Sequence, residues 1–265
     1  MDLEGKTALV TGASRGLGRV IARALAEEGM TLVLAARSAP EIEGLARDLG
    51  RARAVKADVS RRSDCERLVE AAGPIDVLVN NAGVETIGRF HELPFDEIQH
   101  MLEVNLVASL RLARLVLPGM LARRRGHIVN VASLAGKSGP PLAETYAATK
   151  AGLIGFSQSL RASYEGTGVS ASAVCPGFVA GEGMFADRQR AFGVKAPRLL
   201  GATTPERVAR AVVLAISEDL PEILVTPGPV RLLAAATQLF PRLPGWMIRR
   251  LNLREMYERA GAAAP

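Results

Sequence analysis

Cysteine is nearly missing from this 265-residue chain: Cys65 and Cys175 stand far apart in no ligand-like spacing. That excludes a disulfide framework and leads to the expectation of a reducing compartment. Histidine is as scarce. His91, His100 and His127 form no plausible metal set, so no metal centre is expected. No uninterrupted apolar run reaches the roughly 18 residues that a bilayer crossing needs, and the opening Met-Asp-Leu-Glu-Gly-Lys lacks the charged-then-apolar order of an export signal. A soluble, cytoplasmic protein is therefore expected. Aromatics make up 4% of the residues, and the basic stretches carry neither stacking rings nor a recognition motif, so nucleic-acid binding is not expected.

What is present is a folded chain. Residues of hydrophobic type make up 48%, ample for a large core, and the length falls within the range of one α/β domain. The net charge of +6 is uneven: from Arg231 onward six arginines face Glu255 and Glu258, so the tail carries +4 and the preceding residues only +2. Short β-branched and apolar runs at Thr7 to Val10, Thr31 to Ala35, Ala52 to Ala57, Ile75 to Asn80, His127 to Val131, Val169 to Val174 and Ile223 to Val225 read as strands. Longer amphipathic segments such as Gly18 to Glu28 and Phe95 to Met120 lie between them and read as helices. This alternation predicts a doubly wound, Rossmann-like parallel sheet of about seven strands with helices on both faces, whose ligands bind at the carboxyl ends of the strands.

The first strand runs through Thr11-Gly12-Ala13-Ser14-Arg15-Gly16-Leu17-Gly18 into a helix. Gly12 permits a tight turn, Gly16 a close backbone approach to a pyrophosphate, and Gly18 close packing of helix on sheet. Free amides and the macrodipole at that helix start favour a dianion. After the second strand, Ala35-Ala36-Arg37-Ser38 offers no carboxylate for the ribose diol of NAD. Arg37, with Arg15, instead presents donors suited to a 2′-phosphate, which favours NADP(H) over NAD(H). Asp58, after the third strand, is a candidate acceptor for an adenine amino group. The fourth strand ends in Asn80-Asn81-Ala82-Gly83, where a cofactor would pass, and Asn105 interrupts an apolar helical stretch that requires it to find hydrogen-bond partners.

The stretch Ser133 to Lys150 has the look of a catalytic centre. Tyr146 and Lys150 share one helical face at i and i+4. At about 4 Å and an effective dielectric of about 20, an ammonium attracts a phenolate by roughly 4 kcal/mol. At about 1.36 kcal/mol per pKa unit, that is enough to draw a tyrosine from ~10 towards neutrality and make it usable as an acid or base. Such a pair is also an ordinary surface neighbourhood. Ser133, just after a strand, places a hydroxyl where it could share the same substrate oxygen.

Together, Thr11 to Gly18, Asn80-Asn81-Ala82-Gly83, Asn105, Ser133, Tyr146-x-x-x-Lys150 and Pro176-Gly177 resemble the short-chain dehydrogenase/reductase family in order and spacing over about residues 5 to 225. The resemblance implies NAD(P)-dependent interconversion of alcohols and carbonyls, as in a carbonyl reductase. It implies Tyr146 as general acid/base, Lys150 to lower its pKa and hold the nicotinamide ribose, Ser133 to orient the substrate oxygen, and Asn105 to support a proton-relay water. It also implies cofactor contacts from Gly12, Ser14, Arg15, Gly16, Leu17, Gly18, Arg37, Asp58, Val59, Asn81, Ala82, Gly83, Tyr146, Lys150, Pro176, Gly177 and Val179. A homodimer or homotetramer through the helices of Asn105 and Tyr146 is expected from it as well.

The chain departs from the family in two places. Ala180-Gly181 stands where many relatives carry a threonine that touches the cofactor's carboxamide. Within the lid loop 178–201, Met184, Phe185, Phe192 and Leu199 suggest a hydrophobic substrate or simply pack the lid. Residues 1–226 are expected to form the cofactor-binding and catalytic domain, and 227–265 an amphipathic basic extension of it. That extension would cover the cleft, pack on a partner subunit, or make a peripheral membrane contact through 231–260. A nucleotide-sensing protein without catalysis is the alternative function, and such proteins usually lose the Tyr-Lys pair. Sugar-nucleotide epimerases, whose glycine turn is usually spaced differently, rank last.

Overall fold

A computed structural model describes residues 1–197, 200–227, 230–240 and 242–261. Strands β1 (Thr7–Thr11), β2 (Thr31–Ala36), β3 (Ala52–Lys56), β4 (Val77–Asn80), β5 (Gly126–Val131), β6 (Val169–Pro176) and β7 (Glu222–Val225) form one parallel sheet in the order β3-β2-β1-β4-β5-β6-β7. Every strand expected from the sequence is there, with ends displaced by one or two residues. They were legible because the sheet is covered on both faces, so central strands read as unbroken apolar runs.

Alternate residues of each strand feed opposite layers. Ala8 and Val10 of β1 pack with helices α1 (Gly16–Glu27), α2 (Ala39–Leu49) and α9 (Pro205–Ser217). Leu9, between them, packs on the other side with α3 (Arg62–Ala72) and α5 (Ala108–Ala122). Helix α4 (Phe95–Leu102) continues into α5 through a π-helical segment, Glu103–Val107. This run is the one described segment long and apolar enough to cross a membrane, yet half of its most apolar window is buried. The strand order reverses on either side of β1, which opens a crevice at the carboxyl ends of β1 and β4.

Around that crevice stand α6 (Ala135–Ser138), α7 (Glu144–Ser163) and α8 (Met184–Phe192). The lid is thus not all loop. Gly183 at φ +97° and Gly193 at φ +64° start and stop a helix between them, positions where a side chain would be strained. Leu199 of the expected lid, and Gly228 and Pro229 at the start of the tail, lie outside the described residues. The tail forms α10 (Val230–Leu239), α11 (Leu243–Arg250) and α12 (Leu253–Gly261) and returns to the lid, with Ala260 buried against Ile87 and Val194.

Candidate active site

The glycine turn is built by close contact. Gly12 and Gly16 sit at φ +66° and +56°. A Cβ on Gly18 would lie 2.2 Å from the Gly12 carbonyl oxygen and 2.6 Å from Asn81 Nδ2, so no larger residue fits without moving the turn. The loop after β4 is fastened to the same turn: Asn81 Nδ2 donates to Thr11 O at 2.9 Å, and the Asn81 and Ala82 amides share Thr11 Oγ1 at 3.0 Å. Helix α1 opens without a side-chain cap, which leaves its first-turn N–H groups as donors for an anion. Ser14 to Gly18 line a cavity of about 780 Å³ that runs along the crevice. A dinucleotide's phosphates fit such a seat.

On the β2 side the cavity is lined by Arg37, Asp58, Val59 and a residue the motifs did not single out, Arg19. Their partners differ. Arg15, expected to face a phosphate, lines the cavity and pairs with Asp187 of the lid at 3.1 Å. Arg19 donates to Ser14 O at 2.7 Å and keeps a buried Nε without a partner among the described residues. Asp58 accepts from Ser60 Oγ at 2.7 Å and lies 4.0 Å from Arg61, so only part of its capacity remains for an adenine. Glu41, also on this wall, is engaged by the Ser38 hydroxyl, which holds its carboxyl below the usual range.

In the middle of the cavity stand Ala82, Gly83, Ser133, Tyr146, Lys150, Pro176, Gly177 and Val179. Helix α7 carries Tyr146 and Lys150, both buried, with Lys150 Nζ 5.5 Å from the phenol ring centre and bonded to Val131 O at 2.9 Å. Ser133 follows β5, its Oγ accepting from the Ala135 amide at 3.1 Å and donating to Pro176 O at 3.5 Å, on the same cavity wall as the Tyr146 phenol. Helix α6 sets this spacing: a Cβ on Gly136 would lie 2.6 Å from the carbonyl carbon of Lys150. Backbone touches backbone there.

Electrostatics correct one expectation. Burial pulls the Lys150 amine down to about 8. Burial also pushes the Tyr146 phenol well above its ordinary value; the Glu85 carboxylate adds to that rise, and the Ser133 hydroxyl and Arg188 oppose it. The amine therefore does not bring the phenol towards neutrality here, because desolvating a phenolate costs more than its neighbours return. Tyr146 is held as a neutral phenol.

Asn105 lies behind the wall rather than on it. Fully buried in the π-helical segment, its Oδ1 accepts from the Val84 amide and its Nδ2 donates to Val84 O, both at 2.8 Å, with Thr149 Oγ1 at 3.3 Å. Its side chain thus ties the loop after β4 to α7. At Ala180-Gly181 the Ala180 amide donates to Thr203 O at 3.0 Å, and Thr226 stands beside Gly177 on the cavity wall.

The remaining end is apolar and comes largely from parts the motifs did not reach. Met184 and Phe185 of α8, Met247 and Ile248 of α11, and Met256 and Tyr257 of α12 line it. The tail therefore covers the cleft, one of the three roles left open by its sequence. Glu85 and Arg188 form a half-buried ion pair at the same place. Glu85 had a signal, a charge just past the asparagine turn; Arg188 and Tyr257 had none, being brought in by packing alone.

Comparison with known proteins follows the same outline. A family profile described as short chain dehydrogenase matches residues 6–191. The chain is 45% identical over 255 residues to ketoacyl reductase HetN of Nostoc sp. (strain PCC 7120), covering 90% of this chain and 86% of that protein. It is 38% identical over 229 residues to the 3-oxoacyl-[acyl-carrier-protein] reductase FabG of Vibrio harveyi, covering 83% and 93%. Among solved structures, an actinorhodin polyketide ketoreductase with NADPH superposes at a TM-score of 0.76 with 32% identity, covering 83% of this chain and 95% of that one. A short chain dehydrogenase/reductase from Burkholderia phymatum in complex with NAD gives 0.77 at 29% identity, covering 87% and 92%.

Proposed function

The chain belongs to the short-chain dehydrogenase family, and from that premise we propose that this oxidoreductase is an NADP-dependent carbonyl reductase acting on an apolar ketoacyl compound. The observation that carries the reading is the convergence of Ser133, Tyr146 and Lys150 on one wall of the cavity into which the uncapped glycine turn opens.

A bound nicotinamide supplies hydride to a carbonyl carbon, or takes it from an alcohol. The chain's own residues do the rest. Ser133 and Tyr146 both direct hydroxyls at the substrate oxygen; in reduction the neutral phenol gives up its proton there and becomes phenolate, and in oxidation the phenolate takes the alcohol's proton. Lys150, tethered to Val131 O, lowers the cost of the transient phenolate and presents donors to a ribose. Asn105 is a positioning residue that keeps Val84, and with it Gly83, against α7. Gly12 to Gly18, Asn81 to Gly83 and Pro176 to Val179 seat the cofactor, with Asp58 and Val59 beside the adenine.

Preference for NADP rests on Arg15, Arg19 and Arg37, three guanidiniums against the engaged carboxylates of Glu41 and Asp58, with no acid at the end of β2. The ketoacyl class rests on the names of the relatives and on the apolar end of the cavity. Residues 227–265 are an extension of the same domain whose inner side closes the substrate end. Their outer side, with Trp246, Arg249 and Arg250 on one helix face, suits a peripheral contact with an anionic membrane. Exposed Phe95 and Leu110 on α4 and α5 suit a homodimer or homotetramer of a cytoplasmic protein. A purely nucleotide-sensing role is not favoured, since the Tyr-Lys pair is kept.

Tyr146→Phe tests the reading. NADPH oxidation with 3-ketoacyl thioesters should fall by about 10²–10⁴-fold while NADPH binding, followed by fluorescence titration, stays within about twofold. Full activity in this variant would end the assignment.

A further inference from the structure

Two adjacent lid residues reach opposite sides of the crevice. Asp187 pairs with Arg15 at the glycine turn, where the Arg15 side chain is 80% exposed. Arg188 reaches the other way: its guanidinium pairs with the Glu85 carboxylate and donates to the Glu85 carbonyl oxygen at 3.2 Å, with side chains only 17% and 10% exposed. The exposed pair contributes little and is weakened by salt. The other pair is largely shielded from solvent, and losing either member leaves a charge without its partner beside the cavity.

That place adjoins Tyr146. Lining the same cavity as the phenol are Lys150 from its own helix, Ser133 after β5, Glu85 after β4, Arg188 from α8 and Tyr257 from α12, the last packed against Tyr146. Among the described residues Glu85 is the one carboxylate in the set.

We propose that the Glu85–Arg188 pair latches the lid and positions the charge around the acid–base group: closure brings Arg188 onto the carboxylate facing Tyr146, and opening leaves that carboxylate bare beside the phenol. The inference rests on the reading of Tyr146 as the acid–base residue. An uncompensated carboxylate resists a second negative charge nearby, so the phenolate needed for alcohol oxidation forms readily only under a closed lid. Chemistry is thereby tied to closure.

The test uses the full-length protein, NADP⁺ and a secondary alcohol, with kcat/KM followed against pH. Activity should rise with pH along a limb that belongs to Tyr146 and Lys150 jointly. Glu85→Gln should move the limb down by about one pH unit, and Arg188→Met should move it up by about one unit. The double variant should return within about half a unit of wild type, because both charges are gone. Trypsin cleavage at Arg190 and Lys195 should quicken in Glu85→Gln and in the double variant, reporting the lost latch. Limbs that stay in place in both single variants, or cleavage that does not change, would overturn the proposal. Should Arg188→Met fold poorly, Arg188→Lys keeps the charge and loses one prong, so cleavage should quicken and the limb should move up by less than the unit expected for Arg188→Met. A wild type inactive towards every alcohol and carbonyl would instead sink the functional reading, and the cleavage assay would still judge the latch.

Discussion

Three guanidiniums stand on the β2 side of the cavity, and their partners rank them. Arg15 is bound to Asp187 and Arg19 to the Ser14 carbonyl, whereas Arg37 is exposed and makes no ion pair among the described residues. Arg37 is therefore the side chain whose fork is available to a 2′-phosphate. Arg37→Asp should shift the ratio of kcat/KM for NADPH over NADH by about 100-fold towards NADH, since a charge-assisted contact becomes a repulsion. An unchanged ratio in steady-state assays with both cofactors would remove Arg37 from the role. Arg37 was readable because it ends a strand whose position the pattern makes plain. Arg15 shows the limit: its place was readable, its partner was not.

Between helices the decisive contact is that of α6 on α7. Gly136 lets α6 meet the backbone of Lys150, and this sets how far Ser133 stands from Tyr146. Gly136→Ala should lower stability by about 1–3 kcal/mol in urea unfolding, because the Cβ meets backbone rather than a side chain that can swing away. The same variant should lower kcat more than it weakens NADPH binding, since the glycine turn is untouched. Equal loss of both would mean that α6 supports the whole crevice. The glycines of the first turn were legible because they sit in a strand–turn–helix frame. Gly136 has no such frame, and neither does the π-helical segment at Glu103–Val107, where five residues of altered hydrogen bonding leave the apolar pattern intact.

For the molecule as a whole, the tail presents two apolar sides. Met247 and Ile248 face the cavity, while Leu232, Leu239, Phe240 and Trp246 are exposed. Arg249 and Arg250 flank Trp246 at i+3 and i+4, and no acidic residue occurs between Glu222 and Glu255. Full-length protein should sediment with phosphatidylglycerol vesicles and be released by salt, and Phe240→Ser with Trp246→Ser should stay in the supernatant with activity on a soluble substrate unchanged. Equal recovery in the supernatant for both proteins would rule the membrane contact out. A change of mass in analytical ultracentrifugation with no vesicle binding would assign the patch to a second copy of the chain.

By itself the sequence determined the parallel sheet, the glycine turn, the order of the strands' carboxyl-end motifs and the pairing of Tyr146 with Lys150 on one face, because each is written within one element or one turn. Only the tertiary structure decided what surrounds that pair. Glu85 and Arg188 meet across 103 residues, the tail returns to roof the cavity, and the resulting burial reverses the pull expected on the Tyr146 phenol. Periodicity and backbone strain are local properties of a chain, whereas solvent exclusion depends on every segment that comes to lie on top.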